Sequence, residues 1–230
     1  MLKLENVHIR QGSFALQADL SVEQGRKVAV IGPSGAGKST LLGALGGFID
    51  VTEGRVLCAG EEITHARPGT RPVAMLFQDN NLFPHLTIRQ NVGLGLRPNL
   101  RLSAEDTQQV QAAITRVGLE GLEERRPAAL SGGQQSRAAL ARVLVQANPL
   151  LLLDEPFAAL GPALRVEMLA LVSDLVAETK ATLLMVTHAP EDVARIADEV
   201  IFVDAGQAQA PQPAAELMAN PPPALRAYLG

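Results

Sequence analysis

The sequence is poor in the residues that stack on nucleic-acid bases and in those that form disulfides. It contains no tryptophan, one tyrosine and one cysteine in 230 residues, and aromatic residues account for only 3% of the chain. A surface for single-stranded nucleic acid needs several aromatic platforms, so this composition argues against one. The single cysteine, Cys58, cannot form an internal disulfide, which favours a reducing compartment. Because Cys58 lies in an apolar run, we predict that it is a small buried core residue.

Positive charge and long apolar runs are also scarce. Twenty Lys and Arg residues against 24 Asp and Glu give a net charge of −4 and a pI near 5.6. An acidic chain lacks the electrostatic footprint of a nucleic-acid or anionic-lipid surface. No apolar run reaches the roughly 18 to 20 residues that a spanning helix needs, and the charged N-terminus is unlike a signal peptide. We therefore predict a soluble chain that binds no nucleic acid and reaches a membrane only through a partner.

Short apolar runs alternate with helical patterns at both ends of the chain, which predicts a single α/β domain over residues 1–230. A helix-rich segment at 88–146 separates the two ends. A Ser-x-x-Asp capping box at Ser103 and Asp106 begins one of its helices. Repeated prolines predict a loosely packed C-terminal tail apart from one short helix. The predicted strands are 2–10, 27–31, 56–58, 73–77, 150–153, 182–186 and 200–203, and further predicted helices are 38–47, 134–146 and 214–218.

A glycine-rich segment, GPSGAGKST at 32–40, follows the apolar run 28–31. It matches the G-x-x-x-x-G-K-S pattern of the phosphate-binding loop, placed where a strand ends and a helix begins. Its glycines let backbone N–H groups converge on an anion, and the helix N-terminus adds positive potential. Lys38 is suited to the terminal phosphates and the Ser39 hydroxyl to Mg²⁺. The predicted nucleoside triphosphate site therefore comprises Gly32, Pro33, Ser34, Gly35, Ala36, Gly37, Lys38, Ser39 and Thr40.

Two acids follow the apolar run 150–153. Asp154 is suited to hold Mg²⁺, directly or through water, and Glu155 to polarise an attacking water. Acids often end strands, so the pair alone is a moderate signal. Together with the phosphate-binding loop it predicts phosphoryl-transfer chemistry.

The segment Leu130-Ser131-Gly132-Gly133-Gln134 has two interpretations. A serine ahead of a helix is an ordinary N-cap. Two glycines at a helix start can also form a second anion-binding nest. Since the chain has one phosphate-binding loop, such a nest would serve the nucleotide of another subunit.

The motifs at 32–40, 78, 130–134, 150–155 and 188 resemble, in order and spacing, those of ABC transporter ATPases. The resemblance covers almost the whole chain. It implies a P-loop NTPase core of α/β class with an N-terminal antiparallel β portion, and an inserted α-helical subdomain at 88–146. It also implies ATP and Mg²⁺ as ligands and a homodimer of ATPase subunits.

The same resemblance implies roles for individual residues. Gln78 is similar to the glutamine that touches Mg²⁺ and senses the membrane partner. Glu155 is similar to the catalytic base and His188 to the switch histidine, with Lys38 as a third catalytic group. The resemblance implies that a signature motif closes in trans on the γ-phosphate, and the residues concerned are Ser131, Gly132, Gly133 and Gln134.

Within the family, the importers fit best. Residues 75–87 resemble the segment that receives the permease, and 88–96, 182–186 and the early end at Gly230 are similar to the ATPases of bacterial thiamine importers. This implies uptake of thiamine or thiamine phosphate, integral-membrane permease subunits, an indirect periplasmic solute-binding protein, and attachment to the cytoplasmic face of the inner membrane. Alternatives are an importer for iron, a polyamine or an oxyanion, or a soluble non-transport ABC protein.

Three further features of the sequence bear on dimerisation, adenine binding and docking. The family usually has aspartate where Gly161 stands, so a carboxylate at the dimer seam is missing. Gln11 and Gly12 stand where an aromatic often stacks on adenine, and Phe14 is the nearby substitute. The apolar residues 82, 83 and 86 are interpreted either as an exposed docking groove for a permease helix, which we favour, or as core packing.

Overall fold

The computed structural model describes residues 1–79 and 81–229, with only the backbone of Leu229. Asn80, which falls in the segment predicted to receive the permease, and Gly230 lie outside the described residues. Within the described part, eleven strands form one mixed sheet. The strands are β1 Leu2–Gln11, β2 Phe14–Val22, β3 Lys27–Ile31, β4 Glu53–Cys58, β5 Glu61–Glu62, β6 Val73–Leu76, β7 Leu150–Asp154, β8 Thr182–Val186, β9 Glu199–Asp204, β10 Gln207–Ala208 and β11 Gln212–Pro213.

Helices and short 3₁₀ turns connect these strands. The turns are Pro68–Thr70 and Pro127–Ala129. The helices are α1 Lys38–Gly46, α2 Ile88–Gly93, α3 Ala104–Arg116, α4 Gly132–Leu144, α5 Pro162–Thr179, α6 Pro190–Ile196, α7 Ala214–Ala219 and α8 Pro223–Leu229. No helix among the described residues has both the length and the apolar character that crossing a bilayer requires.

The sheet has an antiparallel half and a parallel half, in the order β5-β4-β1-β2-β10-β9-β3-β8-β7-β6. In the antiparallel half, β1 pairs with β2 and β4. Buried and exposed side chains alternate along β2, as expected for a sheet with one solvated face. This half confirms the predicted N-terminal antiparallel β portion. Cys58 in β4 is free and fully buried, as predicted.

The parallel half contains β3, β8, β7 and β6, with β9 running parallel to β3 on the other side. These strands are short and almost wholly apolar because both faces of the sheet are covered. Every residue of β8 is buried, as are the four leucines of β7. Parallel strands end at one edge, so the segments that follow β3, β7 and β8 meet there.

The helices α2, α3 and α4 pack together around a core of their own. Ser103 and Asp106 form the predicted capping box of α3. The bounds 88–146 for a helical subdomain stay a prediction. The buried residues of this core are Ile88, Val92, Val110, Ile114, Val117, Leu119, Leu130, Ala138, Ala141 and Val145.

Helix α4 differs from its prediction in extent and in its contacts. It begins at Gly132, two residues before the predicted start, because Ser131 serves as N-cap. The two arginines of α4 have hydrogen-bond partners within the chain. Arg137 donates to the Val117 carbonyl at 2.9 Å, and Arg142 donates to the Asn81 carbonyl at 2.6 Å.

The C-terminal tail is better packed than predicted. Helices α7 and α8 cover one face of the sheet beside β9. Leu225 of α8 is 0% exposed, although the proline-rich sequence around it suggests a loose tail. It belongs to a cluster with Ile31, Val193, Val200 and Phe202. Prolines here set the starts of short helices and do not prevent packing.

Candidate nucleotide-binding and catalytic site

The glycine-rich loop joins β3 to α1, and two of its glycines have conformations that other residues tolerate poorly. Gly32 has φ +149°, and a Cβ there would lie 1.9 Å from the Val203 carbonyl oxygen of β9. Gly37 has φ +111° and caps α1 without any side-chain hydrogen bond. The N–H groups of the first turn of α1 are therefore left for an external anion.

Lys38 lies over this loop with its ammonium group turned towards the backbone. Its Nζ donates to the carbonyl oxygens of Gly32 at 2.7 Å and Pro33 at 2.8 Å. Burial lowers the pKa of Lys38, and the nearby carboxylates of Glu155 and Asp154 oppose that shift. The chain thus holds a buried cation where the loop would bind phosphate.

Ser39 and Asp154 are 115 positions apart in the sequence but lie in contact in the fold. The Ser39 Oγ donates to Asp154 Oδ1 at 3.2 Å. Burial is the main cause that raises the pKa of Asp154. A hydroxyl and a carboxylate beside a phosphate-binding loop fit Mg²⁺, which takes one or two protein ligands and completes its shell with phosphates and water. The described residues contain no cluster of three or more His, Cys, Asp or Glu side chains that could hold a metal ion.

Glu155 and His188 are in direct contact. The Nε2 of His188 lies 2.5 Å from Glu155 Oε1. Glu155 has φ +46°, a conformation that is uncommon outside glycine and that occurs at functional sites. Its backbone N–H donates to the Val186 carbonyl at 3.2 Å, which ties the end of β7 to the end of β8. The adjacent ends of β7 and β8 therefore bring the two predicted catalytic residues together.

A cavity of roughly 340 Å³ brings several predicted site residues together. Phe14 forms part of its wall, and a Cβ on Gly37 would lie 2.7 Å from the Phe14 Cζ. The aromatic substitute suggested by the sequence therefore lies against the phosphate-binding loop. The cavity is lined by Gln11, Phe14, Ser34, Gly35, Gly37, Lys38, Ser39, Thr40, Glu155 and His188.

Gln78 lines a cavity other than the one at the phosphate-binding loop. It follows β6, is exposed, and lines a second cavity together with Glu155, Ala158 and Leu160. It is absent from the lining of the cavity at the phosphate-binding loop. A role of Gln78 at Mg²⁺ stays a prediction.

The segment 131–134 shows the N-cap that was one of its two interpretations. Ser131 Oγ accepts from the Gln134 N–H at 3.3 Å, and Gln134 Oε1 accepts from the Ser131 N–H at 3.0 Å. This is a complete capping box. Ser131 and Gly132 are also exposed, and neither lines the cavity at the phosphate-binding loop. The serine cap is therefore observed, and the second anion-binding nest stays a prediction.

A polar network beside His188 was not predicted from the sequence. Thr187 Oγ1 donates to Asp192 Oδ2 at 2.6 Å, and Arg165 Nη2 donates to the same oxygen at 2.5 Å. The Ala189 N–H donates to Thr187 Oγ1 at 3.1 Å. The network fixes the backbone on both sides of His188. Only the adjacency of Thr187 to His188 offered a sequence signal.

The loop that contains Phe83 is held by a buried asparagine. Asn91 Oδ1 accepts from the Phe83 N–H at 2.8 Å, and Asn91 Nδ2 donates to the carbonyls of Phe83 at 3.1 Å and Thr87 at 3.0 Å. Phe83 is 46% exposed, whereas Leu82 packs against the core. The apolar pair is therefore divided, with Leu82 in the core and Phe83 at the surface.

A second exposed aromatic side chain lies beyond the end of α1. Phe48 is 56% exposed and meets Phe77 edge to face, with ring centroids 5.2 Å apart. Large exposed aromatic residues are typical of contact surfaces for other proteins.

Comparison with known proteins identifies close relatives. A family model described as "ABC transporter" matches residues 16–158. The "Thiamine import ATP-binding protein ThiQ" of Ruegeria sp. (strain TM1040) is 63% identical over 230 residues, with 100% of each chain covered. The protein of the same name from Cereibacter sphaeroides is 61% identical over the same coverage, and that from Brucella suis biovar 1 is 50% identical, with 100% of this chain and 95% of the relative covered.

Solved structures show the same fold. A nucleotide-free ATP-binding cassette from an ABC transporter superposes with a TM-score of 0.88 at 25% identity, covering 100% of this chain and 99% of that chain. A dimeric ATP-binding cassette in a post-hydrolysis state with ADP and Pi superposes with a TM-score of 0.80 at 30% identity. That alignment covers 93% of this chain and 99% of the other.

Proposed function

The chain belongs to the ABC transporter family, and from that premise we propose that it is the ATP-hydrolysing subunit of a bacterial importer for thiamine or thiamine phosphate. The observation that carries the proposal is the full-length identity of 63% to a relative named for thiamine import and ATP binding. That identity extends well beyond the nucleotide-binding motifs. We therefore favour thiamine over iron, a polyamine or an oxyanion.

The phosphates of ATP are proposed to bind in the loop 32–40. The open first turn of α1 would supply N–H donors, and Lys38 would exchange the carbonyls of Gly32 and Pro33 for phosphate oxygens. Mg²⁺ would be held by Ser39 and Asp154 and would neutralise charge on the β- and γ-phosphates.

Hydrolysis is assigned to the pair of Glu155 and His188. Glu155 would accept a proton from the attacking water, as a positioned general base. His188, in contact with Glu155 through Nε2, would orient that carboxylate and donate towards the γ-phosphate. The cavity that contains both side chains is continuous with the phosphate-binding loop, which supports this assignment.

A homodimer is proposed because the nest at 131–134 lies outside the chain's own nucleotide cavity. In a symmetric pair, each nest would close on the γ-phosphate held by the other copy. A dimeric cassette with ADP and Pi among the structural neighbours supports this arrangement.

The exposed Phe83, with Phe48 and Phe77, is proposed as the contact surface for an integral-membrane permease. The chain would then act at the cytoplasmic face of the inner membrane, and a periplasmic solute-binding protein would be an indirect partner. Thiamine would contact those subunits and not this chain. Closure of the dimer would move the docked permease helices.

Uptake by the assembled transporter tests the proposal. Vesicles containing the permease, the binding protein and this chain are expected to accumulate labelled thiamine only with ATP. Glu155→Gln should retain ATP binding, lower ATP turnover by about two orders of magnitude or more, and trap an ATP-bound dimer, since the general base is lost while both nests remain occupied. ATP-dependent uptake of another solute class in place of thiamine would reject the substrate, and parental turnover in the variant would reject the base.

The variant Phe83→Asp tests the proposed docking surface in the same uptake assay. The variant is expected to bind and hydrolyse ATP as the free subunit but to lose ATP-driven uptake, because the charge disrupts only the docking surface. Tight binding of thiamine to the isolated chain by calorimetry would contradict the assignment of the solute site to the partners.

A further inference from the structure

The C-terminal helix brings the only tyrosine of the chain to the candidate catalytic site. Tyr228, in α8, has its hydroxyl oxygen 3.4 Å from Nδ1 of His188. The other ring nitrogen, Nε2, is the atom that meets Glu155 at 2.5 Å. The phenol, the imidazole and the carboxylate therefore form a chain of three groups, with His188 in the middle.

Packing holds the phenol in this place. Leu225, one turn earlier on the same helix, is 0% exposed, in a cluster with Ile31, Val193 and Phe202. The Tyr228 ring packs against that cluster. Since Ile31 immediately precedes the phosphate-binding loop and Val193 lies in the helix after His188, α8 is docked on both segments of the site.

The hydroxyl of Tyr228 has a defined direction for its hydrogen. The carboxylate oxygen Oε1 of Glu155 can only accept, so Nε2 of His188, which lies 2.5 Å from it, carries a proton. In the neutral ring Nδ1 is then an acceptor, and the phenol hydrogen of Tyr228 is available to donate. The acceptor within reach is Nδ1 of His188.

Resting on the proposed hydrolytic function, we infer that Tyr228 is a positioning residue that fixes His188 in the Nε2–H tautomer. When Nδ1 accepts from the phenol, the single proton of the neutral ring must lie on Nε2. That proton faces Glu155 and the cavity where the γ-phosphate would bind. Tyr228 thus acts through His188 and touches no reacting atom itself.

The matched variant is Tyr228→Phe, which removes the hydroxyl and keeps the packed ring. We expect kcat for ATP to fall about 3- to 10-fold, the scale of one lost hydrogen bond, with little change in KM for ATP. Arg226→Gln, on the exposed side of the same helix, serves as the control for changes in α8 that leave His188 untouched. The control is expected to keep the parental kcat.

A tautomer measurement separates positioning from a merely structural role. Two-dimensional ¹⁵N NMR of the histidine rings at pH 8 reports which nitrogen of His188 is protonated, and comparison with His188→Gln assigns its signals among the four histidines. The parent is expected to show Nε2–H with Nδ1 unprotonated. In Tyr228→Phe both tautomers should appear, while the thermal unfolding midpoint changes by less than in Leu225→Ala.

Two results would overturn the inference. One is a parental chain in which Nδ1 of His188 carries a proton at pH 8. The other is a Tyr228→Phe variant with the parental tautomer and kcat. If Glu155→Gln abolishes hydrolysis while Tyr228→Phe behaves as the parent, only the role of Tyr228 fails. If the parent itself does not hydrolyse ATP, the proposed function fails, and the tautomer measurement still decides whether Tyr228 contacts His188.

Discussion

At the scale of single residues, the site depends on positions where a backbone conformation or a close approach restricts the side chain. Gly32 combines φ +149° with a β9 carbonyl in the place of a Cβ. Glu155, at φ +46°, keeps a less favourable conformation at the tip of β7. Both positions lie at the same sheet edge, where the neighbouring strands determine the conformation.

Substitution of Gly32 should therefore lower the free energy of unfolding far more than substitution of a glycine that also has a positive φ but has open space around it. Gly32→Ala places a methyl group 1.9 Å from the Val203 carbonyl oxygen, so β9 or the loop must move. We expect a loss of roughly 2 kcal/mol or more in the free energy of unfolding, together with loss of ATP binding. Urea denaturation and a fluorescent ATP analogue measure the two effects.

Gly25→Ala is the matched control, because Gly25 also has a positive φ, +76°, but its Cβ would meet nothing within 4 Å. It should show a cost of about 1 kcal/mol from backbone strain alone and parental ATP binding. Equal stabilities of the two variants would show that the contact with Val203 does not restrict residue 32.

Motif residues could be predicted from the sequence, whereas their supporting residues could not. Lys38, Ser39 and Asp154 lie at fixed spacings from glycines or from an apolar run, so their roles could be predicted from the sequence. Tyr228 and Asp192 are common residue types whose role exists only through contacts across the fold. Tyr228 is 40 positions from His188, and no local pattern connects the two.

At the scale of elements, buried parallel strands were the easiest to predict. The runs 150–153 and 182–186 are wholly apolar and short, and they fold as β7 and β8 with nearly those bounds. Helix α5 was missed because its apolar residues are spread around the helix and no capping side chain stands at its start. The tail was predicted wrongly because proline content was given more weight than the apolar residues between the prolines.

The capping box of α3 predicts a specific pH dependence of stability. The bidentate contact with Arg97 is the main cause that lowers the pKa of Asp106, and the N–H of Ser103 adds to it. The folded state therefore favours the ionised carboxylate. Its contribution is complete above the unfolded pKa of about 3.9 and disappears as pH falls through the lower folded value.

Asp106→Asn should accordingly lower the thermal midpoint at pH 7, and the difference from the parent should shrink as pH falls from 5 towards 3. Glu105→Gln is the control, since it removes one negative charge from the same helical turn without a bond to Arg97. A difference between Asp106→Asn and the parent that is constant with pH would argue against the carboxylate as the source.

At the scale of the whole molecule, the glycine at residue 161, where the family usually has aspartate, bears on the proposed dimerisation of the chain. Gly161 is the N-cap of α5, with φ −64° and ψ 157°, a conformation open to any residue. A Cβ there would meet nothing within 4 Å, so aspartate fits without rearrangement. The structure of the single chain therefore tolerates the residue that the family usually has.

Gly161→Asp should strengthen ATP-dependent dimerisation in the Glu155→Gln background, because it restores a carboxylate at the proposed seam. It should also stabilise α5 by a few tenths of a kcal/mol through capping. Gly161→Asn caps equally well but carries no charge, so it separates the two effects. Sedimentation with ATP compares the dimer constants, and identical values for the parent and both variants would make residue 161 neutral for assembly.

The strand order also determines when, during synthesis, the protein becomes an ATPase. The phosphate-binding loop is synthesised early, but Asp154, the hydrogen-bond partner of Ser39, follows 115 positions later. Strand β3 lacks its second neighbouring strand until β9 has been synthesised. A chain interrupted between 190 and 198 carries every recognisable motif yet leaves one edge of β3 uncovered. A product that ends there is therefore expected to remain incompletely folded, so ATP hydrolysis requires the completion of β9.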